Sequence, residues 1–157
     1  MSKLPITLLK YISMIYRNTN RYFDMALSDT KISSGQYFFL GFISENEGLT
    51  MYDLAKMGGF DKGTVTKAVQ KLSEMDYVRI ETDQNDKRVR HLYLTNKAKP
   101  VLERIYATRD HWKHQLVEGF TPEQEQEITE TLRVMAEHSC AIVTEIAEQK
   151  GERTHGK

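Results

Sequence analysis

The stretch GGFDKGTVTKAVQKL, residues 58–72, decides the fold because it joins a helix end to an amphipathic helix. Adjacent glycines suit the left-handed turn that ends a helix, and Asp61 is a favoured N-cap residue. Three apolar residues then recur at the spacing of one helical face, Val65, Val69 and Leu72. The pattern predicts a helix over 62–75 with that face in the core. Gly63, in the first turn of this helix, costs roughly 1 kcal/mol of helix stability relative to alanine. The choice of residues on the polar face of the helix therefore needs an explanation other than helix stability.

A short helix is predicted before this segment and a hairpin after it. Thr50 precedes MYDLAKM as an N-cap, and Asp53 complements the helix dipole. Two later segments alternate apolar and polar residues, as half-buried strands do: YVRIET and RVRHLYL. The polar cluster DQNDK between them predicts a turn with Lys87 and Arg88 at its tip. Helix, glycine turn, helix and hairpin is the order of a winged helix-turn-helix, whose second helix enters the major groove.

Longer helices are predicted on both sides of this module, so the expected fold is mainly α with a small β-wing (α+β). The predicted ranges are 4–28, 34–45, 96–118 with Thr95 as its cap, and a last helix from 122 to about 149. Thr121, Pro122 and Gln124 form a strong start for that last helix. One row of residues on it recurs in steps of four and three, and all of its members but Ser139 are apolar: Ile128, Leu132, Met135, Ser139, Ile142 and Ile146. Such a coiled-coil-like row predicts a partner helix.

The composition favours one soluble globular domain. The chain has 157 residues, of which 39% are hydrophobic and 28% charged. A single cysteine, Cys140, forms no internal disulfide, which is typical of a reducing cytoplasm. We expect no membrane span and no signal peptide. The sequence has no phosphate-binding glycine loop and no catalytic triad pattern, so we expect neither an enzyme nor a cofactor.

Charge is distributed unevenly along the chain, although the formal net charge is zero. Residues 61–99 carry nine Lys or Arg against six Asp or Glu. Residues 118–149 carry eight Glu and one Arg. A basic middle and an acidic last helix predict that the middle segment faces a polyanion.

Residues 49–95 resemble the DNA-binding core of the multiple-antibiotic-resistance regulator (MarR) family. The motifs that carry the resemblance are DKxTVTK, the L-x-x-x-x-Y-V that leads into the wing, and D-K-R followed by L-x-L-T. The resemblance implies a single domain over 1–157 and a homodimer whose terminal helices, 1–46 and 96–149, interlock. It also implies a repressor that binds a pseudo-palindromic operator and is released by a ligand, with 150–157 as a flexible tail.

The resemblance also implies which residues contact DNA. The recognition helix would use Thr64, Thr66, Lys67 and Gln70, and Gly63 would let its backbone approach closely. In the wing, Asp86 would orient Arg88 into a minor groove, which suits a weakly hydrated guanidinium. Our candidates for phosphate contacts are Lys62, Lys71, Lys87 and Arg90. The sequence departs from the family pattern at three positions. It has Gly63 where the family commonly has Ser or Thr, Gln84 where the wing often has Pro, and Asp76 where the family usually has Gly.

A sensory pocket for a small aromatic or phenolic effector is a further implication of the resemblance. Its candidate residues are Tyr11, Arg17, Tyr37 and Met57. Two alternatives stay open. One is a zinc-responsive regulator that uses His111 and His114, which lie on one helix face. The other is a winged-helix module that binds another protein through its acidic last helix.

Overall fold

The computed structural model describes residues 7–155, and their side chains as far as Gly151. The elements in chain order are α1 (Thr7–Ala26), α2 (Ser34–Glu45), α3 (Met51–Gly58), α4 (Lys62–Glu74), β1 (Val78–Thr82), β2 (Arg90–Leu94), α5 (Ala98–Leu116) and α6 (Pro122–His155). This confirms the mainly α architecture with a small β-wing. The first three residues of the predicted helix 4–28 lie outside the described residues. The chain forms two compact units, one ending at His114 and the other beginning at Gln115.

Local capping fixes the helix-turn-helix as predicted. Thr50 Oγ1 accepts the backbone N–H of Asp53 at 3.0 Å, while the Asp53 carboxylate accepts the N–H of Thr50 at 3.1 Å. At the other end of α3, Gly59 adopts the left-handed conformation, with φ 66°. Asp61 then caps α4 by accepting the N–H of Thr64 at 2.8 Å. These caps satisfy backbone groups that have no partner inside a helix.

The core of the first unit lies where α2, α3, α4 and the wing meet. Its fully buried side chains are Leu27, Leu40, Ile43, Leu54, Leu72, Leu92, Val65 and Val69. Thus the predicted inner face of α4 is confirmed. Phe23 joins this core by stacking on Tyr37, with ring centroids 3.9 Å apart. The other half of α1 is different, since Leu8, Ile12 and Ile15 leave their apolar side chains exposed.

The wing is an antiparallel pair in which Val78 lies opposite Leu94 and Thr82 opposite Arg90. β2 also pairs with the loop between α2 and α3. The N–H of Gly48 donates to the Leu92 carbonyl at 2.8 Å, and the N–H of Leu92 donates to the Leu49 carbonyl at 3.0 Å. Gly48 has φ 84°, and a Cβ there would come within 3.3 Å of the Tyr93 hydroxyl. The wing is therefore fastened to the start of α3 as well as to α4.

Two details between α4 and α5 concern single residues. Asp76 has φ 61°, the left-handed conformation that its place before the first wing strand requires. Thr95, predicted to cap the fifth helix, instead donates its hydroxyl to the Asp76 carbonyl at 2.6 Å. The predicted start of that helix at 96 was wrong by two residues, since α5 begins at Ala98.

The second unit contains α6, whose start follows the predicted capping box. The N–H of Thr121 donates to Gln124 Oε1 at 2.9 Å, and the N–H of Gln124 donates to Thr121 Oγ1 at 3.2 Å. The helix continues to His155, beyond the predicted limit near 149. Several large apolar side chains along it are exposed: Ile128, Leu132, Ile142, Val143 and Ile146. No helix among the described residues has the length and hydropathy of a membrane span.

Candidate nucleic-acid interface

A cleft of about 1040 Å³ opens between α3, α4 and the wing. α3 lines it with Thr50, Met51, Tyr52 and Ala55; α4 with Lys62, Val65, Thr66, Val69, Gln70, Ser73 and Glu74; and the wing with Ile80, Arg88, Val89 and Arg90. Its floor is apolar and its rim carries three cations and one carboxylate. A concave surface with a cationic rim suits a polyanion whose backbone lies along the rim.

All eleven residues predicted to contact DNA are exposed. Five of them line the cleft: Lys62, Thr66, Gln70, Arg88 and Arg90. The other six lie outside its lining: Gly63, Thr64, Lys67, Lys71, Asp86 and Lys87. The fold therefore brings the recognition helix and the wing to one surface.

The polar face of α4 is partly engaged in bonds of its own. The hydroxyl of Thr64 donates to Asp61 Oδ2 at 2.7 Å, and that of Thr66 donates to the Lys62 carbonyl at 2.8 Å. Both hydroxyls therefore present acceptor lone pairs outward. The Thr64 bonds also hold the pKa of Asp61 below its usual range. Gln70 directs its amide toward Glu74 Oε1 at 3.3 Å.

Gly63 lies beside the cap of α4. A Cβ at this position would come within 3.3 Å of Asp61 Oδ1. This distance is shorter than an ordinary van der Waals contact, so a larger residue would require the Asp61 carboxylate to shift by a few tenths of an ångström. The glycine leaves the capping carboxylate undisturbed, beside the predicted close approach to DNA.

The wing turn is organised by two aspartates. Asp83 Oδ1 accepts the N–H groups of Asn85 and Asp86 at 2.8 and 3.0 Å. Asp86 Oδ1 accepts the N–H of Arg88 at 2.9 Å and lies 3.4 Å from its Nε. The Arg88 side chain is 93% exposed, so the turn holds its backbone and leaves its guanidinium free to reach a ligand.

His91 was not selected from the sequence, although it lies at the base of this turn. Its Nε2 is 2.8 Å from Asp83 Oδ2, and its Nδ1 is 2.8 Å from the Gly48 carbonyl. The bond to Asp83 raises the pKa of His91, and the same bond lowers the pKa of Asp83 to about 2. In the sequence, His91 is one polar position in an alternating strand, and only its spatial neighbours distinguish it.

The four candidate effector residues occupy different environments. Tyr37 is buried and stacks on Phe23 and Phe38. Its hydroxyl has no hydrogen-bond partner among the described residues, and burial raises its pKa. Tyr11 and Met57 are about half exposed. Arg17 is exposed and donates to Ser13 one turn earlier. None of the four lines the cleft described above.

The zinc alternative gains no support from the described residues, which contain no group of three or more His, Cys, Asp or Glu able to hold a metal ion. His111 and His114 are exposed on α5.

Comparison with known proteins gives the family. Residues 30–89 match the model of the MarR family. The HTH-type transcriptional regulator YybA of Bacillus subtilis (strain 168) is 29% identical over 125 residues, which is 80% of this chain and 83% of that protein. A MarR protein from Peptoclostridium difficile DA00132 is 30% identical, with a TM-score of 0.87 over 93% of this chain and 95% of that one.

A third similarity concerns the fold alone. The structure of a MarR family transcriptional regulator from Listeria monocytogenes complexed with 26mer DNA has a TM-score of 0.85 at 20% identity, over 90% of this chain and 94% of that one. Taken with the winged helix-turn-helix and its cationic cleft, these similarities show that the chain belongs to the MarR family and is a DNA-binding transcriptional regulator, not an enzyme.

Proposed function

We propose that this regulator is a cytoplasmic homodimeric repressor that binds a pseudo-palindromic operator and is released by a small aromatic or phenolic effector. The observation that carries the operator part is that Arg88, at the wing tip, lines the same cleft as Lys62, Thr66 and Gln70 of α4. A recognition helix and a wing on one surface contact adjacent grooves of one duplex.

The proposed reading of DNA divides the residues by role. α4 enters the major groove, which is about 12 Å wide, with Thr64, Thr66, Lys67 and Gln70 facing base edges. Arg88 enters the neighbouring minor groove, held from behind by Asp86. Phosphates are contacted by Lys62, Lys71, Lys87 and Arg90, and these contacts position the protein without specifying sequence. The Listeria monocytogenes protein, which has the same fold and is complexed with a 26mer DNA, supports DNA binding by this fold.

The exposed apolar side chains of two helices support the proposed dimer. Leu8, Ile12 and Ile15 are exposed on α1, and Ile128, Leu132 and Ile146 on α6. Exposed apolar rows of this kind mark association surfaces, and a twofold dimer would bring two recognition helices to two half-sites. Light scattering at micromolar concentration tests the dimer, and a monomer would contradict it.

The effector part of the proposal rests on Tyr37. A buried hydroxyl without a partner among the described residues offers a hydrogen bond to a phenol or a carboxylate. An effector held there and by Tyr11, Arg17 or Met57 would change the spacing of the recognition helices and lower operator affinity. Phenolic acids should therefore release the operator from the wild type more readily than from Tyr37→Phe.

Gel-shift titrations with the upstream region of the gene, repeated at several salt concentrations, test DNA binding. We expect Arg88→Ala to weaken DNA binding by about 1–3 kcal/mol. We also expect it to reduce the steepness of the plot of log binding constant against log salt concentration by about one. A matched control is Arg133→Ala, because Arg133 is paired with Glu130 and Glu137 on α6. This substitution should leave the salt dependence of DNA binding unchanged. Absence of binding at low salt would contradict the proposal and favour the protein-binding module.

A further inference from the structure

We infer that His91 is a positioning residue for operator recognition, whose protonated imidazole ties the wing turn that carries Arg88 to the loop between α2 and α3. The inference rests on the proposed role of Arg88 in binding DNA. It adds His91, which lies outside the motifs quoted for the DNA-binding core, to the residues that affect operator binding, and it predicts that this binding depends on pH.

His91 has an acceptor at each of its two ring nitrogens. Both ring nitrogens lie 2.8 Å from an acceptor, one a carboxylate oxygen of Asp83 and the other the backbone carbonyl of Gly48. A neutral imidazole carries one N–H and can satisfy only one acceptor, whereas an imidazolium donates to both. The geometry therefore matches the protonated ring, with Nε2–H donating to Asp83 and Nδ1–H donating to Gly48.

A series of hydrogen bonds runs from this ring to the wing tip. Asp83 accepts His91 through Oδ2 and uses Oδ1 to hold the N–H groups of Asn85 and Asp86. Asp86 in turn holds the N–H of Arg88. The carboxylates of Asp83 and Asp86 each hold backbone N–H groups of the turn, beside the backbone bonds that join Val89 to Asp83 and Asp86. The orientation of Asp83 therefore contributes to where the turn presents Arg88.

The charged groups near the ring are carboxylates. On the wing itself, His91 bonds Asp83 and lies directly opposite Glu81 across the ladder. From the helix-turn-helix, Thr50 forms a bridge to His91, and the nearby Asp53 contributes a favourable charge. Glu81 is itself paired with Arg79. The carboxylates of Asp83, on the wing, and Asp53, on α3, act on the ring, and an imidazolium is the charge state that they favour.

The pH dependence follows from the sign of the shift. The pKa of His91 is raised by its bond to Asp83, so the folded wing holds the proton more tightly than the unfolded chain does. The contribution of the link is complete below the ordinary histidine pKa of about 6.5. It is lost as pH rises through the raised value. Operator affinity should therefore decrease on the alkaline side of neutrality.

Operator titrations between about pH 6 and about pH 9 test the inference with three proteins. We expect wild-type affinity to fall about three- to tenfold over this range, a part of what loss of a full arginine contact would cause. His91→Gln, which is neutral throughout, should bind at the lower affinity at every pH. His138→Gln, a substitution of an exposed α6 histidine, should keep the wild-type profile. Identical profiles for the wild type and His91→Gln would overturn the inference while leaving the proposed function intact.

A measurement without DNA separates the two proposals. NMR titration of the His91 ring and amide hydrogen exchange at Asn85 and Asp86 report on the link directly. We expect an elevated His91 pKa, and faster exchange at both amides in His91→Gln than in the wild type. A ring that titrates at the ordinary value, with unchanged exchange, would overturn the inference. If those signals are as expected but the protein ignores DNA at low salt, the proposed function fails and the role in recognition fails with it.

Discussion

The indole N–H of Trp112 donates to the hydroxyl of Thr19 at 2.8 Å and so ties α5 to α1. The same indole stacks on Tyr22, with ring centroids 4.6 Å apart and an interplanar angle of 19°. A buried indole N–H commonly finds a partner of this kind. The junction holds the inner half of α1 against the core while its outer half stays exposed.

Loss of this hydrogen bond should lower stability. We expect Thr19→Val to reduce the free energy of unfolding by about 0.5–1.5 kcal/mol, measured in urea at fixed protein concentration. Trp112→Phe should lose the same bond and some packing in addition. The double variant should then lose less than the sum of the two single effects, because both remove one interaction. Strict additivity would contradict a shared hydrogen bond.

Two tyrosines, one buried and one half-buried, should respond oppositely to loss of their hydroxyls. Tyr37 lacks a partner for its hydroxyl among the described residues, so Tyr37→Phe should raise the free energy of unfolding by about 1 kcal/mol. Tyr106 shares a hydrogen bond with Ser44, so Tyr106→Phe should lower it by about 0.5–1.5 kcal/mol. Thermal unfolding of both variants checks the contrast. If Tyr37→Phe is the more destabilising, an ordered water molecule satisfies that hydroxyl.

The left-handed backbone at Asp76 should make glycine the more stable residue there. With φ 61°, a side chain with a Cβ is strained, although aspartate tolerates this region better than most residues. We expect Asp76→Gly to raise the free energy of unfolding by about 0.5–1 kcal/mol. We expect Asp76→Ala to lower it. A destabilised glycine variant would mean that the side chain, not the backbone, determines the residue at this position.

The capping box of α3 should make the free energy of unfolding depend on pH in the acidic range. Thr50→Ala removes the side-chain half of the capping box and should cost about 1 kcal/mol at neutral pH. The bonds to Thr50 lower the pKa of Asp53, so the contribution of the box is present above the ordinary carboxyl pKa and disappears as pH falls through the lowered one. The difference between wild type and variant should therefore shrink in acid.

A matched control for this prediction lies in α6. The hydroxyl of Thr129 donates to the Glu125 carbonyl within the helix at 2.8 Å, so it caps nothing. Thr129→Ala should change the free energy of unfolding by less than about 0.5 kcal/mol. A Thr50→Ala variant that behaves like this control would contradict the capping argument.

Much of the fold was predictable because its determinants are local in the sequence. Thr50, Asp61 and Thr121 each bond a backbone N–H within three residues, and such caps are readable from residue type and spacing. The inner face of α4 follows from helical periodicity for the same reason. Thr95 is the exception, since its hydroxyl bonds Asp76, 19 positions earlier, and no short pattern indicates that.

The site was predictable only in part. Exposed cations and threonines on α4 and the wing are visible in the sequence, and the structure places all of them at the surface. His91 could not be selected, because its two partners lie 8 and 43 positions away. The short distance between a Cβ at position 63 and the Asp61 carboxylate could not be predicted from the sequence either, since it depends on the three-dimensional geometry of the cap.

The pairing of Gly48 and Leu49 with Leu92 has a consequence for how the chain folds. These backbone hydrogen bonds close a loop that contains both helices of the helix-turn-helix and the first wing strand. The entropic cost of closing a loop grows only as the logarithm of the loop length. The chain loses this entropy before the distant contacts that compensate for it have formed. We therefore expect this closure to limit the folding rate, with α3 and α4 gaining protection from hydrogen exchange as one cooperative unit with the wing.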